Sequence, residues 1–420
     1  MGELTHLQIH SKYLWNHPIM ISVAIIVSVA MGILAQSPEA PFYAAEQIFT
    51  PVEPQTHAPS IVEMANGDLL ASWYGDAVVG IEGGSDAAIF GARKRKGAAN
   101  WGKPFLLADT PGFPDCNTSM MIDKAGTLWL FWPTIIAGSW ESSLMKYRRS
   151  TDYLASEQPK WDKEGLILLK PDDFGPEALK ILGDRKIKPP RGVKATPEQQ
   201  IAKLSDSFYQ RMGWANRCKP TVLANGRILL PLYSDTYAIS IMAISDDAGA
   251  NWFASKPLIG FGNIQPTVLQ RKDGSLVAYM RENGPLNAIR VAESTDNGMT
   301  WGVVGKSDLP NPGSGIDAVK LSNGHWALIF NNEKNSRATL SIAISEDEGR
   351  SWKQIRKLED HKAGRYHYPA IIQGHDGLIH VIYSTFIAPE DGDETAKAKN
   401  QTLKGIKHAT LNEAWIKAGH

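Results

Sequence analysis

The chain has 420 residues, 43% of them apolar, which is enough for a sizeable core in one large domain or two ordinary ones. Lysine plus arginine and aspartate plus glutamate both total 44, so charge gives no reason to expect nucleic acid as a partner. Cys116 and Cys218 leave open two buried thiols or one pair, and no CxxC or HExxH spacing supports a metal site or suggests a cofactor.

The N-terminus stands apart. From Pro18 to Ala35 runs an uncharged apolar stretch, PIMISVAIIVSVAMGILA. It is long for the apolar core of a signal peptide and just long enough for a short membrane helix. Residues 1–36 therefore read as a signal or anchor segment that exports the body. The expected place is membrane-anchored on the periplasmic or extracellular side, with secretion after cleavage near Ala35 as the alternative.

Beyond the anchor, 37 glycines and 13 tryptophans suit many short strands joined by tight turns, with large rings packed between sheets. One unit recurs in chain order: an apolar strand, a turn with Asp-Gly or Asn-Gly, then a second strand. Copies open at Pro59, Pro220, Pro266, Asp317 and Pro369, and a weaker one runs from Asn117 to Trp132 with Ala-Gly at its turn. These are hairpin signals. Between the hairpins lies an octet, S-x-D-x-G-x-x-W, starting at Ser245, Ser294 and Ser345, 49 and 51 residues apart. Its Ser and Asp side chains take hydrogen bonds from the turn backbone, its Gly supplies a positive φ, and its Trp is an apolar plug. Degenerate copies stand at Lys94–Trp101 and near Ser150. Six hairpins at this period predict an all-β, six-bladed β-propeller over residues 45–417. The rhythm breaks in a charged, proline-bearing insertion at about 162–213, where Pro197–Met212 reads as amphipathic helix. An excursion this long is either a partner-binding cap or a solvated decoration.

In a propeller the innermost strand of each blade lines the axis. The residues opening those strands, His57, Asn117, Lys219, Gln265, Asp317 and Tyr368, are expected to converge on one mouth.

The octets resemble the Asp-boxes of the sialidase superfamily, and the likeness covers nearly all of the chain after the anchor. It implies a sialidase-like propeller. Sialidases have a glutamate opening a hairpin, an arginine closing it, a further arginine before an Asp-box, and a tyrosine opening the next blade. Gln265, Arg281, Arg337 and Tyr368 stand at those places. The resemblance implies that Arg281 and Arg337 bind a sugar carboxylate through paired, charge-assisted hydrogen bonds. It makes Tyr368 the nucleophile, a neutral group that the substrate's own carboxylate does not repel. A first-blade loop, Gly80–Ile89, then supplies the acid, Asp86 first and Glu82 second.

Two positions depart from the family. His57-Ala58-Pro59 replaces its Arg-Ile-Pro, and Gln265 replaces its glutamate, leaving Lys219 and Asp317 either as candidates for altered roles or as a structural salt bridge near the axis. The expected activity is retaining hydrolysis of a terminal 2-keto sugar acid, sialic acid or a relative such as 3-deoxy-octulosonic acid, from an acidic glycan. A non-catalytic propeller that binds glycan or protein, and a polysaccharide lyase on the same scaffold, are the alternatives.

Overall fold

Each hairpin of the sequence pattern becomes the inner half of a separate antiparallel sheet. A computed structural model describes residues 40–76, 84, 86–171, 174–183, 197–388 and 402–419. The apolar run at 18–35 lies outside these, as does Glu82; among the described residues no helix is long and apolar enough to cross a membrane.

Blade 1 is β2 (Thr56–Glu63), β3 (Leu69–Gly75), β4 (Ala88–Lys94) and β5 (Phe105–Ala108). Blade 2 is β6 (Ser119–Ile122), β7 (Leu128–Ile135), β8 (Ser143–Ser150) and β9 (Lys163–Leu166). Blade 3 splits its inner strand into β10 (Trp214–Asn216) and β11 (Thr221–Val222), both paired with β12 (Ile228–Ser234), followed by β13 (Ile239–Ser245) and β14 (Phe253–Ala254). Blade 4 is β15 (Asn263–Gln270), β16 (Leu276–Glu282), β17 (Ala288–Ser294) and β18 (Gly305–Pro310). Blade 5 is β19 (Asp317–Lys320), β20 (Trp326–Phe330), β21 (Thr339–Ser345) and β22 (Gln354–Asp360). Blade 6 joins β23 (Gly364–Gln373), β24 (Ile379–Ile387) and β25 (Leu403–Leu411) to β1 (Tyr43–Gln47) from the start of the propeller. The protein is a six-bladed β-propeller whose ring is closed by β1.

Apolar side chains fill the gaps between blades. Ala58, Leu70 and Leu107 of blade 1 meet Met120, Leu130 and Trp132 of blade 2, while Ile61 and Trp73 meet Ala370 and Ile382 of blade 6. The Asp-boxes serve these seams. Ser245 Oγ accepts from the Gly249 N–H (2.8 Å), and Asp247 accepts from the Asn251 N–H (2.8 Å). Gly349 has φ +84°, and a Cβ there would lie 2.2 Å from Tyr279 Oη on the preceding blade. Only glycine satisfies both the turn and the close approach. The octet tryptophans then pack across to the preceding blade, Trp252 against Trp129 and Trp352 against Tyr279.

Between β9 and β10 the expected insertion carries three helices: α1 (Gly175–Gly183), α2 (Pro197–Leu204) and α3 (Ser207–Arg211). The single helix expected over Pro197–Met212 is broken at Asp206, whose side chain caps α3 by accepting from the Phe208 N–H at 2.8 Å. Cys116 and Cys218 are both buried thiols.

Candidate active site

The inner strands open at the end of the axis opposite the Asp-box turns, and their openings are strained. Ala58, Asn117, Gln265 and Tyr368 have φ of 51°, 39°, 54° and 46°. Left-handed backbone at such residues costs about 1–3 kcal/mol each and clusters at working sites. In blades 1, 4 and 6 this residue is followed by a proline and the register slips between His57 and Ser60, Ile264 and Thr267, and His367 and Ala370. These are β-bulges, which re-aim a side chain. The same bulge therefore turns the residue before each proline toward the axis.

Tyr368 is the hub. Arg281 Nη1 donates to its phenol oxygen (2.9 Å) and to Gln265 Oε1 (3.3 Å), and Gln265 Nε2 also reaches the phenol oxygen (3.4 Å). The His57 ring stacks on the Tyr368 ring at 4.4 Å and 20°. Next along the chain, His367 Nδ1 accepts from Arg337 Nη1 (2.6 Å), while Arg337 Nη2 donates to the Gly313 carbonyl (2.5 Å). The loop holding that carbonyl is built on Asn311, whose Oδ1 accepts from the Gly313 and Ser314 N–H groups, both at 3.0 Å. Gly315 of the same loop lies against Tyr368, where a Cβ would sit 2.7 Å from Cδ1. Arg281, Arg337, Tyr368, Gln265 and His57 thus form one connected set drawn from blades 1, 4, 5 and 6.

The cup is electropositive. Burial, then His367 and the Arg217, Arg337 and Arg281 charges, push His57 well below the usual imidazole range. His367 is lowered by burial and then by Arg337 and Arg281. Both histidines are neutral at pH 7, so they add no charge to the guanidinium groups. Asp235 follows β12 at the mouth; burial raises its carboxyl, and the Arg281 charge opposes that shift. Asp235 makes no hydrogen bond or ion pair among the described residues. Its neighbour Tyr233 takes a hydrogen bond from Asn117 Nδ2 (3.0 Å) and is pushed up by burial, then by Asp235 and Tyr368.

Several expected site residues fall elsewhere. Asp317 is fully buried: its Oδ2 accepts from Lys219 Nζ (2.7 Å) and the Ile371 N–H (3.0 Å), and its Oδ1 from Thr267 Oγ1 (2.9 Å). It ties blades 3, 4, 5 and 6 together around the axis, so Lys219 and Asp317 are a structural pair rather than a substrate contact. The cause is local. Blade 3 places four residues, 217–220, between the pairs Asn216–Leu232 and Thr221–Leu229, where blade 4 places two between Ile264–Arg281 and Thr267–Tyr279. The longer bulge carries Lys219 past the mouth. Gln265 and His57 are also closed off, at 1% and 4% exposure, and serve Tyr368 rather than an open wall. His57 is held by Ser384 Oγ at Nδ1 (2.9 Å). Asp86 is exposed at the end of the first-blade loop, and Glu82 lies outside the described residues.

The sequence reading missed Arg217, His367 and Asp235. Arg217 escaped because Lys219, two residues further on, is the residue that the repeat puts at the opening of the blade 3 strand. Asp235 carried a signal: Tyr233-Ser234-Asp235 ends the second strand of blade 3 as Tyr74-Gly75-Asp76 ends that of blade 1. Away from the cup, His325, Glu346 and Glu413 converge, but Lys417 Nζ sits 2.5 Å from Glu346 and 2.7 Å from Glu413, so an ammonium takes the place of a cation.

A BNR repeat-like domain model matches residues 199–381. A sialidase of Micromonospora viridifaciens is 25% identical over 187 residues, covering 42% of this chain and 26% of the relative. An anhydrosialidase of Macrobdella decora is 27% identical over 184 residues, covering 38% of this chain and 23% of the relative. Residues 199–381 carry a BNR repeat-like domain, and the chain is similar to these sialidases. It matches about a quarter of the length of each of these relatives. Among solved structures, the intramolecular trans-sialidase of Ruminococcus gnavus in complex with oseltamivir carboxylate shares the fold with a TM-score of 0.62. That match has 15% identity and covers 87% of this chain and 96% of the other.

Proposed function

We propose that this protein is an exo-glycosidase that removes a terminal 2-keto sugar acid, sialic acid or a related ulosonic acid, with retention through a tyrosyl intermediate. The observation that carries the reading is the 2.9 Å bond from Arg281 to the Tyr368 phenol oxygen, inside a cup that also holds Arg337. Arg281 and Arg337 bind the sugar carboxylate, each as a rigid fork of donors. Tyr368 attacks the anomeric carbon without meeting that carboxylate as a like charge. Gln265 cannot take the phenol proton, and we assign that task to Asp235, whose raised carboxyl is a better base near neutral pH than an ordinary one. The acid for the leaving oxygen comes from the first-blade loop, Asp86 or Glu82. The apolar run at 18–35 supports placing the propeller outside the cytoplasm, anchored at a membrane.

One observation favours a second reading, a propeller that binds acidic glycans without cleaving them: Gln265 Nε2 and Arg281 Nη1 both donate to the Tyr368 oxygen. Purified protein offered a panel of sialylated and 3-deoxy-octulosonate-bearing glycans decides between them. The proposal expects release of the free keto-acid, lost in Tyr368→Phe and reduced on the order of 100-fold or more in Arg281→Ala. Binding without release sinks it, as does an ultraviolet-absorbing unsaturated uronate as product.

A further inference from the structure

Arg217 is the largest unexplained charge in the propeller. It is 1% exposed, its Nε has no partner, and it has no ion pair among the described residues. Burial works against its charge, and Asp317 steadies it only from beyond ion-pair distance, so its close hold is on backbone carbonyls. Its Nη2 donates to the Pro369 carbonyl (2.9 Å) and its Nη1 to the Pro59 carbonyl (3.4 Å). Those prolines directly follow Tyr368 and Ala58, the two left-handed residues of blades 6 and 1. The guanidinium carbon lies 5.0 Å from the centre of the Tyr368 ring.

Left to itself, a residue before proline prefers extended backbone, and a left-handed one relaxes unless its surroundings fix it. One planar fork reaching from blade 3 to both carbonyls fixes two bulges at once. Blades 1 and 6 are also where the ring closes, so the clamp spans the seam on which the tyrosine stands. We infer that Arg217 is the positioning residue for Tyr368: it locks the bulges of the first and last blades and thereby holds the phenol between Arg281, Gln265 and His57. The inference rests on the proposed function, with Arg217 acting through Tyr368 and leaving the sugar carboxylate to Arg281 and Arg337.

The test uses full-length wild type, Arg217→Met and Arg217→Lys. In Arg217→Met, kcat falls on the order of 100-fold, the usual consequence of a displaced reacting group. Binding of an unreactive unsaturated sialic acid analogue, measured by calorimetry, moves by less than about threefold. Arg217→Lys, able to satisfy one carbonyl, falls between the two. Unchanged kcat in Arg217→Met overturns the inference, as does a loss of affinity in proportion to the loss of kcat. If Arg217→Met does not fold, the lysine variant carries the same comparison. If wild type releases nothing from any acidic glycan, the enzymatic reading has failed instead, and the clamp is read by fluorine resonance from 3-fluorotyrosine at position 368. A single narrow line in wild type that shifts and broadens in the arginine variants supports the clamp, and an unchanged line removes it.

Discussion

Asp317→Asn asks whether the axial carboxylate is a structural node or a substrate ligand. The asparagine keeps the shape but removes the charge that faces Lys219 Nζ at 2.7 Å, and it sets an amide among the donors of Lys219, Ile371 and Thr267. Breaking a buried pair from one side costs about 3–5 kcal/mol. Lys219 keeps 20% of its side chain in solvent, which screens the orphaned charge and points to the lower end, about 3 kcal/mol. Thermal unfolding of Asp317→Asn, Lys219→Met and the double variant is the assay. The single aspartate variant is expected to melt several degrees below wild type. The double variant recovers on the order of 1 kcal/mol or more relative to additivity, since the two groups are in contact. Affinity for an acidic sugar stays unchanged in the variants that fold. An unaltered melting point together with lost affinity would falsify the structural role.

Gly315→Ala puts a Cβ 2.7 Å from Tyr368 Cδ1 and 3.3 Å from Gln265 Oε1. Turnover is expected to fall on the order of tenfold or more while the melting point barely moves, because the clash presses on the phenol and not on an inter-blade seam. Undiminished release of sugar acid would show that the ring moves aside at no cost. Asp247 of the first octet is drawn down to about 2 by the Asn251 N–H, the Asn251 side chain and the Ser245 hydroxyl. A folded value below the unfolded one, about 3.9, means its stabilisation is complete above that pH and fades as the pH falls through about 2. Melting curves of Asp247→Asn should therefore lie below wild type at neutral pH and converge with it near pH 2; a gap that does not narrow contradicts the assignment.

The ring was legible because its determinants are local. An Asp-Gly or Asn-Gly turn between two apolar strands needs no distant partner to be recognised, and the octet states its own hydrogen bonds. Ser294 Oγ, for instance, accepts from the Gly298 N–H at 3.0 Å. Tyr368 and Gln265 were legible for the same reason, since each opens a hairpin of the repeat, whereas Arg281 was marked only by the resemblance to sialidases. Lys219 was misplaced because bulge length is a tertiary property. The extra residues of blade 3 look the same in sequence whether they swing a lysine toward the mouth or toward Asp317. Arg217 stayed hidden because its partners are the carbonyls of Pro59 and Pro369, and backbone carbonyls leave no mark on a sequence. Asp235 was marked as a strand end by its match to Tyr74-Gly75-Asp76, but nothing beside it in the chain shows that the Arg281 charge acts on it from the neighbouring blade.

Trapping the intermediate tests the account most directly. Wild type is incubated with a 3-fluoro sugar acid bearing a good leaving group at its anomeric carbon, digested, and read by mass spectrometry. The account predicts one sugar-acid adduct, on the peptide containing Tyr368 and on that residue's oxygen. An adduct on another residue, or steady release of the fluoro sugar acid with no tyrosyl species and full activity in Tyr368→Phe, would contradict it.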